Sequence, residues 1–372
     1  MKFETQCIHA GLDVENDTPA IVPPISPSTI YEIASDGDTD KGFLYSRLGN
    51  PNRLQLETLL AALERGKACA AFASGLAASA ALLQALDPGD EVIFPDDIYS
   101  GNRNLINGIL KRWGLRPVFV RMSESGEAKN AITPKTKLIW IESPSNPMLR
   151  ITDIRSICNI AREKGIRTVV DNTWPTPVNQ LPLELGADFV IHSTTKYFGG
   201  HSDLLGGAVI AAENDAFFER IRYNQQLGGG VPSAFDCWML NRSIRTLPCR
   251  MGVHNTNAEK VAGFLVNHPK IEKVLWPGIE SHEGHAIAKE QMCGFGGMIS
   301  FLLKESGEST QKAVSRAKLI KHATSLGGVE STWERRRATE GEASETPENL
   351  IRLSVGLEHA DDIIEDIEQC LR

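Results

Sequence analysis

Short apolar runs alternate with amphipathic stretches over most of the first 245 residues. Runs rich in β-branched and aromatic residues are typical of buried strands, and apolar residues three or four positions apart predict helices. Strands are predicted at 91–94, 116–120, 137–141, 166–170, 187–192 and 207–211, and helices at 51–65, 75–86 and 101–112 and after Thr152. Because strands and helices alternate, the pattern predicts an α/β fold with a mostly parallel sheet and helices on both faces.

The pattern changes near residue 246, where a smaller α+β domain is predicted to begin. Its predicted elements are helices near 255–267, 309–321 and 360–371 and strands near 271–276, 297–303 and 350–355. The stretch 333–348 is rich in charged residues and is predicted to be a surface loop. The predicted parts are an N-terminal arm (1–50), a main α/β domain (51–245) and a C-terminal α+β domain (246–372). Since the first 50 residues have weak periodicity and several prolines, the arm is expected to be extended and to lie over a neighbouring subunit.

A lysine and three hydroxyl residues follow the predicted strand at 187–192, where the sequence reads Ser193, Thr194, Thr195 and Lys196. A lysine just beyond a core strand is partly desolvated, which lowers its pKa towards the neutral amine that can form a Schiff base. Hydroxyls at the same strand exit can hold a phosphate group. The alternative is an ordinary exposed lysine in a polar loop.

A carboxylate stands at the end of the neighbouring strand, where 166–170 is followed by Asp171, Asn172 and Thr173. At the carboxyl edge of a parallel sheet, Asp171 can pair with a pyridine nitrogen and keep it protonated, so that the ring becomes an electron sink. Alone, Asp171 could be a helix cap. Together, Asp171 and Lys196 point to pyridoxal 5'-phosphate as the cofactor.

Three further features are open to two interpretations each. Ser74, Gly75 and Leu76 begin a helix whose free amides form an anion site, or Ser74 is a plain N-cap. Tyr99 follows the strand at 91–94 and either stacks on a flat cofactor ring or packs half-buried. Arg352 lies in an apolar strand and needs a partner, either a substrate carboxylate or a structural salt bridge.

Composition narrows the function classes. The chain has 372 residues, a net charge of −8, 41% hydrophobic and 23% charged residues, as in an ordinary globular protein. The negative charge argues against nucleic acid or an anionic membrane as the main partner. Seven scattered cysteines without a Cys-x-x-Cys pair predict a reducing compartment and no zinc site. With no apolar signal or membrane-spanning run, a cytoplasmic location is expected.

Six motifs together resemble the Cys/Met-metabolism family of pyridoxal-phosphate enzymes, the group of cystathionine γ-synthase, γ-lyase and β-lyase. In chain order the motifs lie at 45–51, 142–147, 170–173, 195–203, 325–331 and 352–356. The resemblance implies the fold type I architecture of pyridoxal-phosphate-dependent transferases and a homotetramer built from tight dimers. It also implies an amino acid as the small-molecule substrate.

The resemblance assigns a role to each matching position. Lys196 would be the Schiff-base lysine and proton shuttle, Asp171 the partner of the pyridine nitrogen, and Tyr99 a catalytic residue that stacks on the ring. Phosphate contacts would come from Gly75, Leu76, Ser193 and Thr195, beside Ser74 and Thr173, and from Tyr45 and Arg47 of the partner subunit. Asn146, Arg352 and the Ser325 region, with Thr324 beside it, would bind the substrate.

Some positions depart from the family pattern near the distal part of the substrate pocket. Trp174 stands where many relatives have Phe or Tyr, and Thr324 where the γ-enzymes would have Glu. The stretch 332–337 is rich in arginine and lacks the proline and histidine common in the family. The Ser325–Ser331 motif favours γ-elimination or γ-replacement in transsulfuration. The alternatives are a β-lyase, a γ-lyase for an unusual amino acid, an aminotransferase and a non-catalytic scaffold.

Overall fold

Two sheets organise the computed structural model, which describes residues 1–12, 14, 20–33, 35, 42–340 and 344–372. The larger sheet has the strand order β1-β7-β6-β5-β4-β2-β3. Its strands are β1 (Ala68–Phe72), β2 (Glu91–Pro95), β3 (Arg116–Val120), β4 (Thr136–Glu142), β5 (Arg167–Asp171), β6 (Phe189–His192) and β7 (Gly207–Ala211). Five neighbouring strands of the sheet run parallel, namely β3, β2, β4, β5 and β6. Strand β7 is antiparallel to both of its neighbours, β6 and β1. The predicted mostly parallel sheet is confirmed.

Helices cover both faces of this sheet. They are α1 (Phe3–His9), α2 (Pro51–Leu63), α3 (Gly75–Leu83), α4 (Ser100–Gly108), α5 (Ser125–Asn130), α6 (Ile154–Glu163), α7 (Thr176–Asn179), α8 (Ala216–Gly228) and α9 (Ala234–Ile244). Alternation along β6 shows why two layers are needed: Phe189 and Ile191 join a core that includes residues of α3 and α8, whereas Val190 joins a core with residues of α2 and α9. Successive side chains of a strand point to opposite faces, so a central strand made of apolar residues must be covered twice.

The smaller sheet has the order β10-β11-β12-β9-β8. Its strands are β8 (Ile271–Leu275), β9 (Met298–Leu303), β10 (Lys321–His322), β11 (Thr332–Arg335) and β12 (Leu350–Ser354). The helices of this part are α10 (Leu247–Val266), α11 (His285–Gln291), α12 (Gly307–Val314), α13 (Arg336–Glu340) and α14 (Ala360–Leu371). Helix α10 begins next to the boundary predicted at residue 246, and the three-part division of the chain stays a prediction.

The prediction of a surface loop at 333–348 was wrong for residues 333–340. Residues 344–348 form neither helix nor strand, and 341–343 lie outside the described residues. Residues 332–340 form β11 and α13, and Trp333 is 1% exposed. The indole N–H of Trp333 donates to the carbonyl of Val314 at 3.1 Å, which anchors β11 beneath α12. Glu334 and Arg336 are buried as well, because they pair with each other and with neighbouring charges. A charged stretch of sequence lies at the surface only when its charges have no oppositely charged partners inside the protein.

Other boundaries also differ from the sequence-based expectations. The helix expected to reach residue 321 ends at Val314, and residues 321–322 form β10. The N-terminal arm is not wholly extended, because α1 buries Cys7 against α2 and α10. The apolar positions in α1 were too few to predict a helix, and α8 and α9 were not predicted at all. No helix in the described part of the chain is both long and apolar enough to cross a bilayer.

Candidate active site

The carboxyl ends of β4, β5 and β6 open onto a cavity of about 500 Å³, which strand β12 of the smaller sheet closes from the other side. The cavity brings together most of the residues that the sequence singles out. Its lining includes Ser74, Gly75, Leu76, Tyr99, Asn146, Asp171, Thr173, Ser193, Thr195, Lys196, Thr324, Ser325 and Arg352. Ligands of open α/β sheets bind outside the carboxyl ends of the strands, where this cavity lies.

Lys196 reaches into the cavity from the turn after β6. Its Nζ donates to Ser325 Oγ at 2.6 Å, and Ser325 adopts a left-handed backbone conformation with φ of 77°. Burial lowers the pKa of Lys196 to about 8, with smaller contributions from the charges of Arg352 and Arg336. About a tenth of the amine is therefore uncharged at pH 7, far more than for a lysine with an unshifted pKa, and the neutral form is the one that a nucleophilic or basic lysine requires.

Asp171 lies at the end of β5, next to the exit of β6. Its Oδ1 accepts the backbone N–H of Thr173 at 3.1 Å, and the hydroxyl of Thr173 accepts the backbone N–H of Ser193 at 2.9 Å. Removal from bulk water raises the pKa of Asp171. None of the ion pairs among the described residues involves Asp171, so its carboxylate can receive a cationic N–H from a ligand.

The first turn of α3 forms a candidate anion site. Ser74 caps the helix by accepting the N–H of Ala77 at 3.1 Å, while the amides of Gly75 and Leu76 have no acceptor within a helix. A Cβ on Gly75 would lie 2.9 Å from the Cβ of Ser193, so only glycine lets α3 approach the exit of β6 so closely. The Thr195 hydroxyl accepts the N–H of Gly206 at 3.0 Å, which fixes the turn beside it.

Arg352 has features of both roles that its sequence context allows, a structural salt bridge and a binding site for a substrate carboxylate. It lines the cavity, and it is also ion-paired, with Nη2 2.5 Å from Glu334 Oε1. Its Nη1 donates to Asn146 Oδ1 at 3.0 Å, and Nη2 to the carbonyl of Ser325 at 3.3 Å. Burial lowers the pKa of Arg352 to about 10, so the guanidinium stays charged at neutral pH. The structural salt bridge is present, and the carboxylate-binding role stays a prediction.

A second arginine lines the cavity, and it belongs to the arginine-rich stretch 332–337 that the sequence comparison placed near the substrate pocket without a role for any one residue. This residue is Arg336, and its Nη1 donates to the same Glu334 oxygen at 3.0 Å. Its Nε donates to Glu340 Oε1 at 2.9 Å, and its Nη2 to the hydroxyl of Ser100 at 3.2 Å. The available signal was the alternation of apolar Trp333 with charged neighbours, which is typical of a half-buried strand and was interpreted as a loop.

Two acidic side chains near the strand ends were also not assigned a role. Glu142 lines the cavity and accepts the backbone N–H of Tyr99 at 3.0 Å. Burial, together with the charge of Asp171, raises the pKa of Glu142 well above its usual range. Glu64 is fully buried below the cavity and lies 2.5 Å from Nε2 of His192, the last residue of β6. Their partners are distant in the sequence, Tyr99 in the turn before α4 and His192 on β6, so no local pattern identifies them.

Tyr45 and Arg47 do not reach this cavity within the chain. Arg47 Nη1 donates to the carbonyl of Gln226 at 2.7 Å, and its guanidinium lies 5.5 Å from the ring centroid of Tyr45. Both line a separate surface pocket together with Gly229 and Phe235. Their predicted contribution to the phosphate site of a partner subunit stays a prediction.

The residues at the cavity fit a phosphorylated pyridine aldehyde. An anion site at α3, a carboxylate without an ion-pair partner at Asp171 and a partly neutral amine at Lys196 surround one space. The described residues include no cluster of three or more His, Cys, Asp or Glu side chains placed to hold a metal ion.

Comparison with known proteins agrees with this geometry. The family model for "Cys/Met metabolism PLP-dependent enzyme" matches residues 4–372. A probable cystathionine gamma-synthase from Herpetosiphon aurantiacus is 47% identical over 317 residues, covering 85% of this chain and 99% of that protein. A cystathionine beta-lyase from Coxiella burnetii is 42% identical over 378 residues, covering 99% and 97%. The crystal structure of cystathionine gamma-lyase from Lactobacillus plantarum complexed with L-serine matches with a TM-score of 0.94 and 38% identity, covering 100% of this chain and 98% of that chain.

Proposed function

The chain belongs to the Cys/Met-metabolism family of enzymes that depend on pyridoxal phosphate, and from this premise we propose that it catalyses γ-replacement or γ-elimination in transsulfuration. The substrate would be an activated homoserine or cystathionine. One observation carries the proposal: the Lys196 amine lies 2.6 Å from the Ser325 hydroxyl, in a cavity lined also by the first turn of α3 and by Arg352.

The cofactor would be held at three points. The amides of Gly75 and Leu76 and the hydroxyls of Ser193 and Thr195 would bind its phosphate, and Asp171 would pair with its pyridine nitrogen. Tyr99 would stack on the ring. When bound, the cofactor supplies an electron sink for the negative charge that develops at the substrate α-carbon.

The protein's own groups position the substrate and move its protons. Arg352 and Asn146 bind the α-carboxylate, because a guanidinium offers two parallel donors to a carboxylate. The Lys196 amine accepts the α-proton, and Ser325 orients that amine. For γ-chemistry the Lys196 ammonium would first give the α-proton up to the bound cofactor, and the regenerated amine would then remove a proton from the β-carbon before the γ-substituent leaves. A thiol then adds, or hydrolysis gives a 2-oxo acid and ammonia.

Two considerations favour γ-chemistry over β-elimination. The Ser325–Ser331 motif resembles the γ-synthase and γ-lyase branch, and the relative at 47% identity is named a probable cystathionine gamma-synthase. β-Elimination from cystathionine is the second candidate, since a protein named cystathionine beta-lyase is 42% identical. A γ-lyase acting on an unusual amino acid is the third, because Thr324 and Arg336 both line the cavity.

The assembly belongs to the proposal as well. A homotetramer built from tight dimers would place Tyr45 and Arg47 of one subunit at the phosphate site of the next. Tyr45 is exposed, Arg47 is half-buried, and both lie outside their own cavity, which supports this arrangement. Analytical ultracentrifugation tests it directly, and a monomeric holoenzyme would refute it.

We also propose a cytoplasmic location, supported by seven unpaired cysteine thiols.

Product analysis tests the chemistry. The purified holoenzyme is incubated separately with cystathionine, with O-succinylhomoserine plus cysteine, and with methionine. We expect cystathionine from the second mixture, or 2-oxobutanoate from cystathionine. If pyruvate is the sole 2-oxo acid formed from cystathionine and the second mixture yields no cystathionine, the γ assignment is wrong.

A further inference from the structure

Arg336 gives the substrate end of the cavity a second guanidinium, which the proposed reaction does not use. It is 4% exposed, and it begins α13 directly after β11. Three of its five N–H donors have acceptors, namely Glu334, Glu340 and Ser100. The contacts fix the guanidinium in place and leave donors for a ligand.

The charged groups that line the cavity are separated by sign. Glu142 and Asp171 lie side by side at the ends of β4 and β5, where the pyridine ring would sit. The lining cations are Lys196, Arg336 and Arg352. Their countercharges Glu334 and Glu340 do not line the cavity, so the surface that meets the substrate side chain is positive.

One guanidinium is enough for an α-carboxylate. Arg352 has this role in the proposed function, and Asn146 and Ser325 hold it beside the Lys196 amine. Arg336 is tied instead to Ser100, the first residue of α4 after Tyr99. This contact places Arg336 beside the start of α4, next to Arg352 at the Glu334 oxygen that both share, so that its free donors are available to a second group on the same substrate.

We propose that Arg336 is a specificity-determining residue that binds a second carboxylate, carried by the substrate's side chain. The inference rests on the proposed function in one respect, the assignment of the α-carboxylate to Arg352. Amino acids with a distal carboxylate, such as cystathionine and O-succinylhomoserine, belong to the preferred class. Amino acids with a neutral side chain, such as methionine and O-acetylhomoserine, do not.

Binding of matched ligands tests this without turnover. L-2-Aminoadipate and L-norleucine have the same chain length and differ by a terminal carboxylate against a methyl group. L-2-Aminosuberate and L-2-aminooctanoate form a longer pair of the same kind. Dissociation constants are measured by titrating the holoenzyme and following the absorbance of the bound cofactor. For at least one pair we expect the dicarboxylic ligand to bind about tenfold more tightly or better.

The variant Arg336→Met should abolish that preference and leave norleucine binding within about threefold of wild type. Arg335→Met is the matched control, because Arg335 is the neighbouring arginine, pairs with Glu348 and does not line the cavity. It should keep the full preference. If Arg336→Met does not fold, the double variant R336Q/E340Q removes both charges of one ion pair, and its ligand preference decides the question instead.

Two results would overturn the proposal. One is a wild-type enzyme that shows no preference within either pair. The other is an equal loss of affinity for both ligands of a pair in Arg336→Met, which would mean that Arg336 acts through Arg352. None of these ligands carries a leaving group at the β- or γ-carbon. A failed product analysis therefore refutes the γ-chemistry alone, and a failed ligand test refutes the role of Arg336 alone.

Discussion

Glu142 and Asp171 are register partners at the ends of the adjacent parallel strands β4 and β5. Burial raises the pKa of both carboxyl groups, and the charge of Asp171 raises that of Glu142 further. Two neighbouring carboxylates in a dry site do not both ionise easily. Glu142, which is 5% exposed and whose pKa is raised well above its usual range although the Tyr99 N–H that it accepts opposes the shift, is the member of the pair that favours the protonated form. Asp171 is then the one left to hold a cation.

Substitution of each carboxyl by its amide should separate these two roles. Asp171→Asn loses a charge-assisted hydrogen bond to the pyridinium, so cofactor affinity and turnover should each fall roughly 10- to 100-fold. Glu142→Gln keeps a neutral group and an acceptor for the Tyr99 N–H, so both quantities should stay within about fivefold. Cofactor dissociation constants and initial rates check the result. Equal losses in the two variants would contradict the assignment.

The pKa of Lys196 sets a pH dependence for cofactor capture by the apoenzyme. Below its pKa of about 8 the amine is protonated and cannot attack an aldehyde, and above it the amine is free. The rate of capture should rise roughly tenfold per pH unit up to about pH 8 and then level off. Stopped-flow absorbance between pH 6 and about 9.5 measures it. Lys196→Ala, the control, should capture no cofactor covalently.

Neighbouring charges should move the midpoint of this pH dependence, the pH at which the capture rate is half its maximum, in opposite directions. The Arg336 guanidinium lowers the pKa of Lys196, so Arg336→Met should shift the capture midpoint to higher pH. The Glu334 carboxylate raises it, so Glu334→Gln should shift the midpoint to lower pH. A midpoint that is the same in both variants would show that another group controls capture.

The sequence contained the information for the part of the site that lies at strand ends. Lys196 and Asp171 follow short apolar runs, and parallel strands bring their carboxyl ends to one edge of the sheet. Much of the alternation of strands and helices was likewise predictable, because it depends on local periodicity, but α1, α8, α9 and β11 were not predicted.

The charged network behind the cavity could not be predicted in the same way. Glu334 meets Arg352 because β11 and β12 pair in register, and that register appears only once both strands are folded. The same pairing made the charged stretch after Trp333 part of the interior. Tyr45 and Arg47 lie outside their own cavity, and the role predicted for them depends on a second chain.

Glu334 is predicted to stabilise the fold at the expense of substrate binding. It is 2% exposed, and one of its oxygens bridges the guanidinium groups of Arg352 and Arg336. Glu334→Gln leaves two buried cations undercompensated, so the free energy of unfolding should fall by roughly 3 kcal/mol. Asn146 still holds Arg352, and with the repulsion of Glu334 removed, norleucine should bind roughly tenfold more tightly.

Chemical denaturation and ligand titration check the two effects of Glu334→Gln separately. Glu348→Gln is the control, since Glu348 pairs with Arg335 at the surface and should change stability by less than about 0.5 kcal/mol. Weaker norleucine binding in Glu334→Gln would mean that Glu334 aligns Arg352 more than it repels the ligand.

Gly75 should be required for the phosphate and not for the rest of the cofactor. An alanine there would place its Cβ 2.9 Å from the Cβ and 3.1 Å from the Oγ of Ser193. Ser193 or the first turn of α3 must then move, and the loss of one hydrogen bond to a charged group predicts roughly 10- to 100-fold weaker binding of pyridoxal phosphate. Binding of pyridoxal, which has no phosphate, should change by less than about threefold.

Gly252→Ala is the matched control, because Gly252 lies within α10 with no atom within 4 Å of the added Cβ. In this variant the free energy of unfolding should rise by about 0.5–1 kcal/mol. If Gly75→Ala weakens pyridoxal and pyridoxal phosphate equally, Gly75 serves the packing of α3 against β6, and the anion site lies elsewhere.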